Sequence, residues 1–152
     1  MTQSTIMVVE HDAKTRKSLR QMLEKGQYAV IEAADARNAL LLALHHMPQL
    51  VLQDLMLPDC AAFLFARELR AMPEGDAVPM IALCELESHL VDARASATGY
   101  TAFLQLPVQE KVLLDSVVRC LPAREEKVHK PGGGMRVTDQ ETLDVATMVL
   151  AG

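Results

Sequence analysis

The sequence predicts an α/β fold, a five-stranded parallel sheet with helices on both faces. Two observations carry this prediction. Five short, mostly apolar runs lie at 5–9, 28–33, 50–53, 79–84 and 101–105. Each is followed by a longer segment patterned as an amphipathic helix. Nearly continuous apolar strands belong in parallel sheets covered on both sides, and intervening helices supply the crossovers. At 152 residues, half of them apolar, the chain can bury one core and carry a short appendage.

The elements follow in order. TIMVV at 5–9 is β-branched and apolar, and Glu10-His11-Asp12 is a turn. AKTRKSLRQMLEKG sets Leu19, Met22 and Leu23 on one helical face and stops at Gly26. YAVIEA at 28–33 alternates as a strand. Asp35 is placed to cap ARNALLLALHH, which ends before Pro48. LVLQ at 50–53 is a buried strand, and AAFLFARELRAM at 61–72 a helix. PMIALC at 79–84 is a strand, and ESHLVDARASAT is a helix ending at Gly99. TAFLQ is the fifth strand, and VQEKVLLDSVVRCL is a helix ending at Pro122. Right-handed crossovers leave the flavodoxin-like (βα)5 order 2-1-3-4-5 as the expected topology.

Composition narrows the function. The net charge of −5, two Tyr, three Phe and no Trp argue against direct nucleic-acid binding. No apolar run approaches the roughly 18 residues that span a bilayer, so no membrane role is expected. Three separated cysteines, Cys60, Cys84 and Cys120, form no metal or disulfide pattern and read as reduced thiols of a cytoplasmic protein.

In the expected topology, ligands bind beyond the carboxyl ends of the strands, at the switch point between the first and third. Glu10, His11 and Asp12 follow the first strand, and Asp54 ends the third within LVLQDLMLPD. Carboxylates gathered there repel unless a cation or proton intervenes. Oxygen-rich clusters of this kind suit Mg²⁺ or Ca²⁺. Asp54 could otherwise be a plain strand-end residue, Cys84 a small buried hydrophobe, and His45 and His46 partners of a helix C-terminus.

Three segments, VVEHDAKTRKSLRQML, PQLVLQDLMLPD and GYTAFLQLPV, resemble the receiver domain of bacterial response regulators in order and spacing. The resemblance implies that Asp54 accepts a phosphoryl group. It implies that Glu10, Asp54 and the Met56 backbone carbonyl hold Mg²⁺, with Cys84 and Phe103 at the two switch positions. It also implies a cis peptide before Pro107. Three positions depart from the family pattern. His11 stands at the second acidic place, so His11 or a swung-in Asp12 would complete the metal set, though Asp12 is expected chiefly to cap a helix. Cys84 stands where Ser or Thr is usual, and Leu106 where Lys is usual. Ala62 also replaces a common loop glycine.

The departures have physical consequences. Imidazole for carboxylate should weaken Mg²⁺ and suit a softer divalent ion better. Leu106 removes a charge-assisted hydrogen bond of about 1.5–3 kcal/mol, and a thiol donates weakly. An atypical, degenerate receiver is therefore expected, whose partner is a histidine kinase, a phosphotransfer protein or another signalling domain. The alternative is a phosphorylation-independent pseudo-receiver, an interaction or dimerisation module. The resemblance implies homodimerisation through the fourth helix, fifth strand and fifth helix, roughly Glu87 to Leu121, with Val91, Val112 and Val117 beside Arg94, Lys111 and Arg119. An enzyme is not expected, because no activated nucleophile pair or phosphate-cradling glycine loop is present.

The domain is expected to span 1–122. Residues 123–137, with KPGGGMR, read as a flexible linker. Residues 138–152 read as a short helix opened by the capping box Thr138 to Glu141, either the start of a following module or a tail that docks on this domain or a second copy.

Overall fold

The computed structural model describes residues 3–86 and 99–122. The helix expected at 87–98, the linker at 123–137 and the helix at 138–152 lie outside the described residues. The elements are β1 (Thr5–Val9), α1 (Ala13–Lys25), β2 (Ala29–Ala33), α2 (Ala36–His45), β3 (Leu50–Asp54), α3 (Ala62–Arg70), β4 (Met80–Cys84), β5 (Ala102–Gln105) and α4 (Glu110–Cys120). The five strands are parallel in the order β2-β1-β3-β4-β5, as the sequence predicts. Among the described residues, no helix is long and apolar enough to cross a membrane.

The period-2 geometry of the strands divides the core into two layers. Ile6, Val8, Leu50, Leu52, Ile81 and Leu83 face one side, where Leu19 and Leu23 of α1 and Leu113 and Val117 of α4 cover them. Met7, Val9, Val51 and Met80 face the other, under Ala36, Ala39 and Ala43 of α2 and Phe65, Ala66 and Leu69 of α3. The alanine stripe on α2 adds little bulk between that helix and the sheet. All residues of β3 and β4 are buried, which explains their continuous apolar runs.

Local signals set the helix ends. Asp12 caps α1 through Thr15 N, and Asp35 caps α2 through Asn38 N. The Asp59 carboxylate also accepts from Ala36 N at 2.9 Å and Arg37 N at 3.0 Å, a second anchor for α2 from a distant loop. Gly26 does end α1, but for a reason the sequence does not disclose. Its φ is −82°, and the left-handed residue is Gln27, at φ 71°. A Cβ on Gly26 would lie 2.7 Å from Leu114 Cδ2, so glycine permits close packing against α4.

Two expectations on the proposed dimer face divide. Val112 is exposed, but Val117 is fully buried in the core and unavailable to a partner; its neighbour Val118 is the exposed residue. The helical period turns position 117, with 113, toward the sheet. The first part of that face, 87–98, lies outside the described residues.

Candidate functional site

β1 ends at Val9 and Asp12 caps α1, so two residues, Glu10 and His11, bridge strand and helix at the carboxyl edge of the sheet. Glu10 N donates to Ala33 O at 3.0 Å and continues the β1–β2 ladder. That bond holds Glu10 in place, 2 % exposed. On the other side of β1, Val9 pairs with Gln53, which sets Asp54 beside Glu10. Asp54 is the last residue of β3, in register with Leu83, and is 4 % exposed.

The sheet thus gathers three of the expected residues. His11 Nδ1 lies 2.6 Å from Asp54 Oδ2 and 3.4 Å from Glu10 Oε2. One ligand-capable atom from each of Glu10, His11 and Asp54 falls within 4.8 Å of the others. Asp54 Oδ1 accepts from Met56 N at 2.8 Å, so the loop after β3 fixes the carboxylate. Asp12 turns the other way. Its carboxylate accepts from Thr15 N at 2.9 Å and Thr15 Oγ1 at 2.7 Å, and these bonds hold it below the usual carboxylate range.

These residues line a cleft of about 410 Å³ whose far wall includes Met56, Cys84, Leu86 and Leu106. Cys84 is buried at the end of β4, and Leu106 N donates to Cys84 O at 2.9 Å. The Leu106-Pro107 peptide is cis. Phe103, in register with Ala82, meets Tyr100 edge-on at 6.0 Å. Tyr100 also lies 6.5 Å from Phe63, and its hydroxyl donates to Gln53 Oε1 at 2.8 Å. This connection from the residue before Asp54 to the Phe103 ring is absent from the sequence reading, because no local pattern pairs Gln53 with Tyr100.

Burial drives the electrostatics. It raises the Glu10 carboxyl to about 7, against the hydrogen bond from Asp12 N, and the Asp54 charge adds to the rise. The hydrogen bond to Asp54 is the main cause raising His11 above its ordinary value. A carboxyl raised on folding favours the folded state at low pH, and this contribution is lost as pH rises through about 7. Glu10→Gln is therefore expected to stabilise the protein at pH 8 by about 1–2 kcal/mol, and by less at pH 5. Urea midpoints at the two pH values check this; a variant less stable at pH 8 would refute it.

The donor set limits which cation fits. Among the described residues, Glu10 Oε1 is buried and has no hydrogen-bond partner, so a proton or a cation is needed to satisfy it. Glu10 and Asp54 offer oxygens, but the third donor is the His11 ring nitrogen. Mg²⁺ prefers near-octahedral oxygen coordination, and this cluster offers two carboxylates and one imidazole nitrogen to a divalent cation.

A doubly wound parallel sheet with acids and a strand-end aspartate at its switch point defines a class of domain, and sequence comparison supplies the family. The profile of the response regulator receiver domain matches residues 6–118. The chain belongs to that family. It is 32% identical over 114 residues to an uncharacterized 14.6 kDa protein of Leptolyngbya boryana, covering 75% of this chain and 87% of the other. It is 27% identical to protein PilH of Pseudomonas aeruginosa, over 74% of this chain and 93% of that one. It spans about half the length, 53%, of response regulator Rre1 of Synechocystis, at 29% identity over 80% of this chain. Among solved structures, chemotaxis response regulator CheY4 of Vibrio cholerae superposes with a TM-score of 0.73 at 25% identity, covering 79% of this chain and all of that one. The receiver domain of sensor histidine kinase PA1611 from Pseudomonas aeruginosa, with magnesium coordinated in its active site cleft, gives 0.72 at 25% identity over 78% and 98%. The chain is thus a receiver domain of two-component signal transduction.

Proposed function

We propose that Asp54 is the phospho-acceptor of this receiver, and that its phosphate-binding shell is depleted. The observation that supports this is the position of Asp54. It ends β3, lines the cleft, and has one carboxylate oxygen held by Met56 N and the other by His11. The donor is a phosphohistidine on a histidine kinase or phosphotransfer protein. An Asp54 oxygen bonds to phosphorus as the phosphorus–nitrogen bond breaks, and the departing imidazole keeps the electron pair and takes a proton. The product brings nearly two negative charges into the cleft. Leu106 offers them no donor and Cys84 only a weak one. Among the described residues, His11 is the one cation-forming side chain in contact with Asp54.

The same substitution at His11 weakens Mg²⁺, since it replaces a charged oxygen donor by nitrogen. Glu10 and the Met56 carbonyl remain the assigned partners of Asp54 around a cation, with Cys84 and Phe103 as the switch positions. We assign the chain a signalling role without enzymatic turnover, in the cytoplasm, with the receiver at 1–122, a linker at 123–137 and a short helix at 138–152. A second copy meets it through the fourth helix, fifth strand and fifth helix, roughly Glu87 to Leu121, with Val112 exposed there.

Incubation with acetyl phosphate and a divalent ion tests the central point. Intact mass should show a phosphate-sized adduct on the wild type and none on Asp54→Ala. A folded wild type with no adduct, or an adduct that survives Asp54→Ala, would refute the assignment.

A further inference from the structure

We infer that Glu10, His11 and Asp54 form a site selective for a zinc-class divalent ion over Mg²⁺. The inference rests on the reading of this cleft as a cation site, and not on phosphoryl transfer to Asp54.

Three observations converge. The donor set is mixed, with one imidazole nitrogen and two carboxylates gathered within 4.8 Å. Nitrogen together with oxygen suits Zn²⁺, Co²⁺ and Ni²⁺, whereas Mg²⁺ takes oxygen alone. Second, Glu10 is almost wholly buried and lines the cleft, yet among the described residues its Oε1 has no hydrogen-bond partner. A buried carboxylate oxygen without a donor is costly unless a cation or a proton meets it.

Third, the spacing suits short bonds. Ligand atoms about 2.0–2.2 Å from a tetrahedral zinc stand roughly 3.3–3.6 Å apart. His11 Nδ1 to Glu10 Oε2, the oxygen that also accepts from Asp12 N, is already 3.4 Å. His11 Nδ1 to Asp54 Oδ2, at 2.6 Å, must open somewhat. The His11 side chain is 50% exposed and can make that adjustment, while the carboxylates stay anchored by Asp12 N and Met56 N. Three protein ligands leave the fourth position open toward the cleft, where water or a phosphoryl oxygen can sit.

Carboxylates alone also prefer zinc to magnesium, so the informative quantity is the ratio of the two affinities and its dependence on His11. Calorimetric titration of the full chain with Zn²⁺ and with Mg²⁺ gives that ratio, and Co²⁺ absorption reports a nitrogen ligand. His11→Asp should weaken Zn²⁺ and strengthen Mg²⁺, each by at least about tenfold, and shift the Co²⁺ spectrum. His45→Ala, at the exposed end of α2, should leave both affinities unchanged. Helical circular dichroism confirms that the variants fold. A ratio unmoved by His11→Asp, or zinc binding lost in His45→Ala, would place the ion elsewhere and overturn the inference. A wild type that takes no phosphoryl adduct but shows the His11-dependent ratio would remove the phospho-acceptor reading and leave the metal site standing.

Discussion

Leu106→Lys is expected to raise the steady level of phosphoryl-Asp54 by about ten- to a hundredfold at fixed donor concentration. One charge-assisted hydrogen bond is worth about 1.5–3 kcal/mol, and each 1.36 kcal/mol is tenfold. The backbone is already placed for it, because Leu106 N is tied to Cys84 O at 2.9 Å and the side chain lines the cleft with Asp54. Leu106 is half-buried against the α1–α4 side of the core, so the lysine methylenes can occupy much of its place while the ammonium reaches the cleft. The charge acts on the phosphorylated state far more than on the free carboxylate, which carries less negative charge. A time course of intact mass with acetyl phosphate measures the effect. An unchanged level in a folded variant would show that the missing lysine does not limit this receiver.

Phe65→Ala is expected to cost about 3–5 kcal/mol of folding stability. Domains of this size hold roughly 5–15 kcal/mol in total, so the variant would lie near the edge of unfolding. Phe65 is fully buried and belongs to the cluster with Met7, Val9, Val51 and Met80 beneath α2 and α3. Removing its ring opens a cavity between helix and sheet that the alanines of α2 are too small to fill. The urea midpoint should fall with little change in slope. Leu64, one position earlier and 38% exposed, provides the contrast: Leu64→Ala should cost about 1 kcal/mol or less. Equal losses at the two positions would contradict this account of the core.

Much of the fold was legible because its signals are local. Strand and helix periods differ, so TIMVV, LVLQ and PMIALC are distinguishable from the amphipathic segments between them. The caps at Asp12 and Asp35 follow from side chains that reach backbone N–H groups three residues on. Gly26 misled in part, since its φ is ordinary and the left-handed residue is Gln27. Val117 misled as well, because a valine in an amphipathic helix does not declare whether it faces core or partner, and the sheet takes it.

By itself, the sequence determined the alternation of strands and helices, the carboxyl-edge position of Glu10, His11 and Asp54, and the chemical types at His11, Cys84 and Leu106. These depend on residue identity and short-range geometry. Only the tertiary structure decided that His11, and not Asp12, meets Asp54 across 43 positions of chain. It also decided that Glu10 is buried with an unsatisfied oxygen, and that Tyr100 connects Gln53 to Phe103. Those contacts are set by the register of β1 on β3 and of β4 on β5, a cooperative outcome of burying two apolar layers at once.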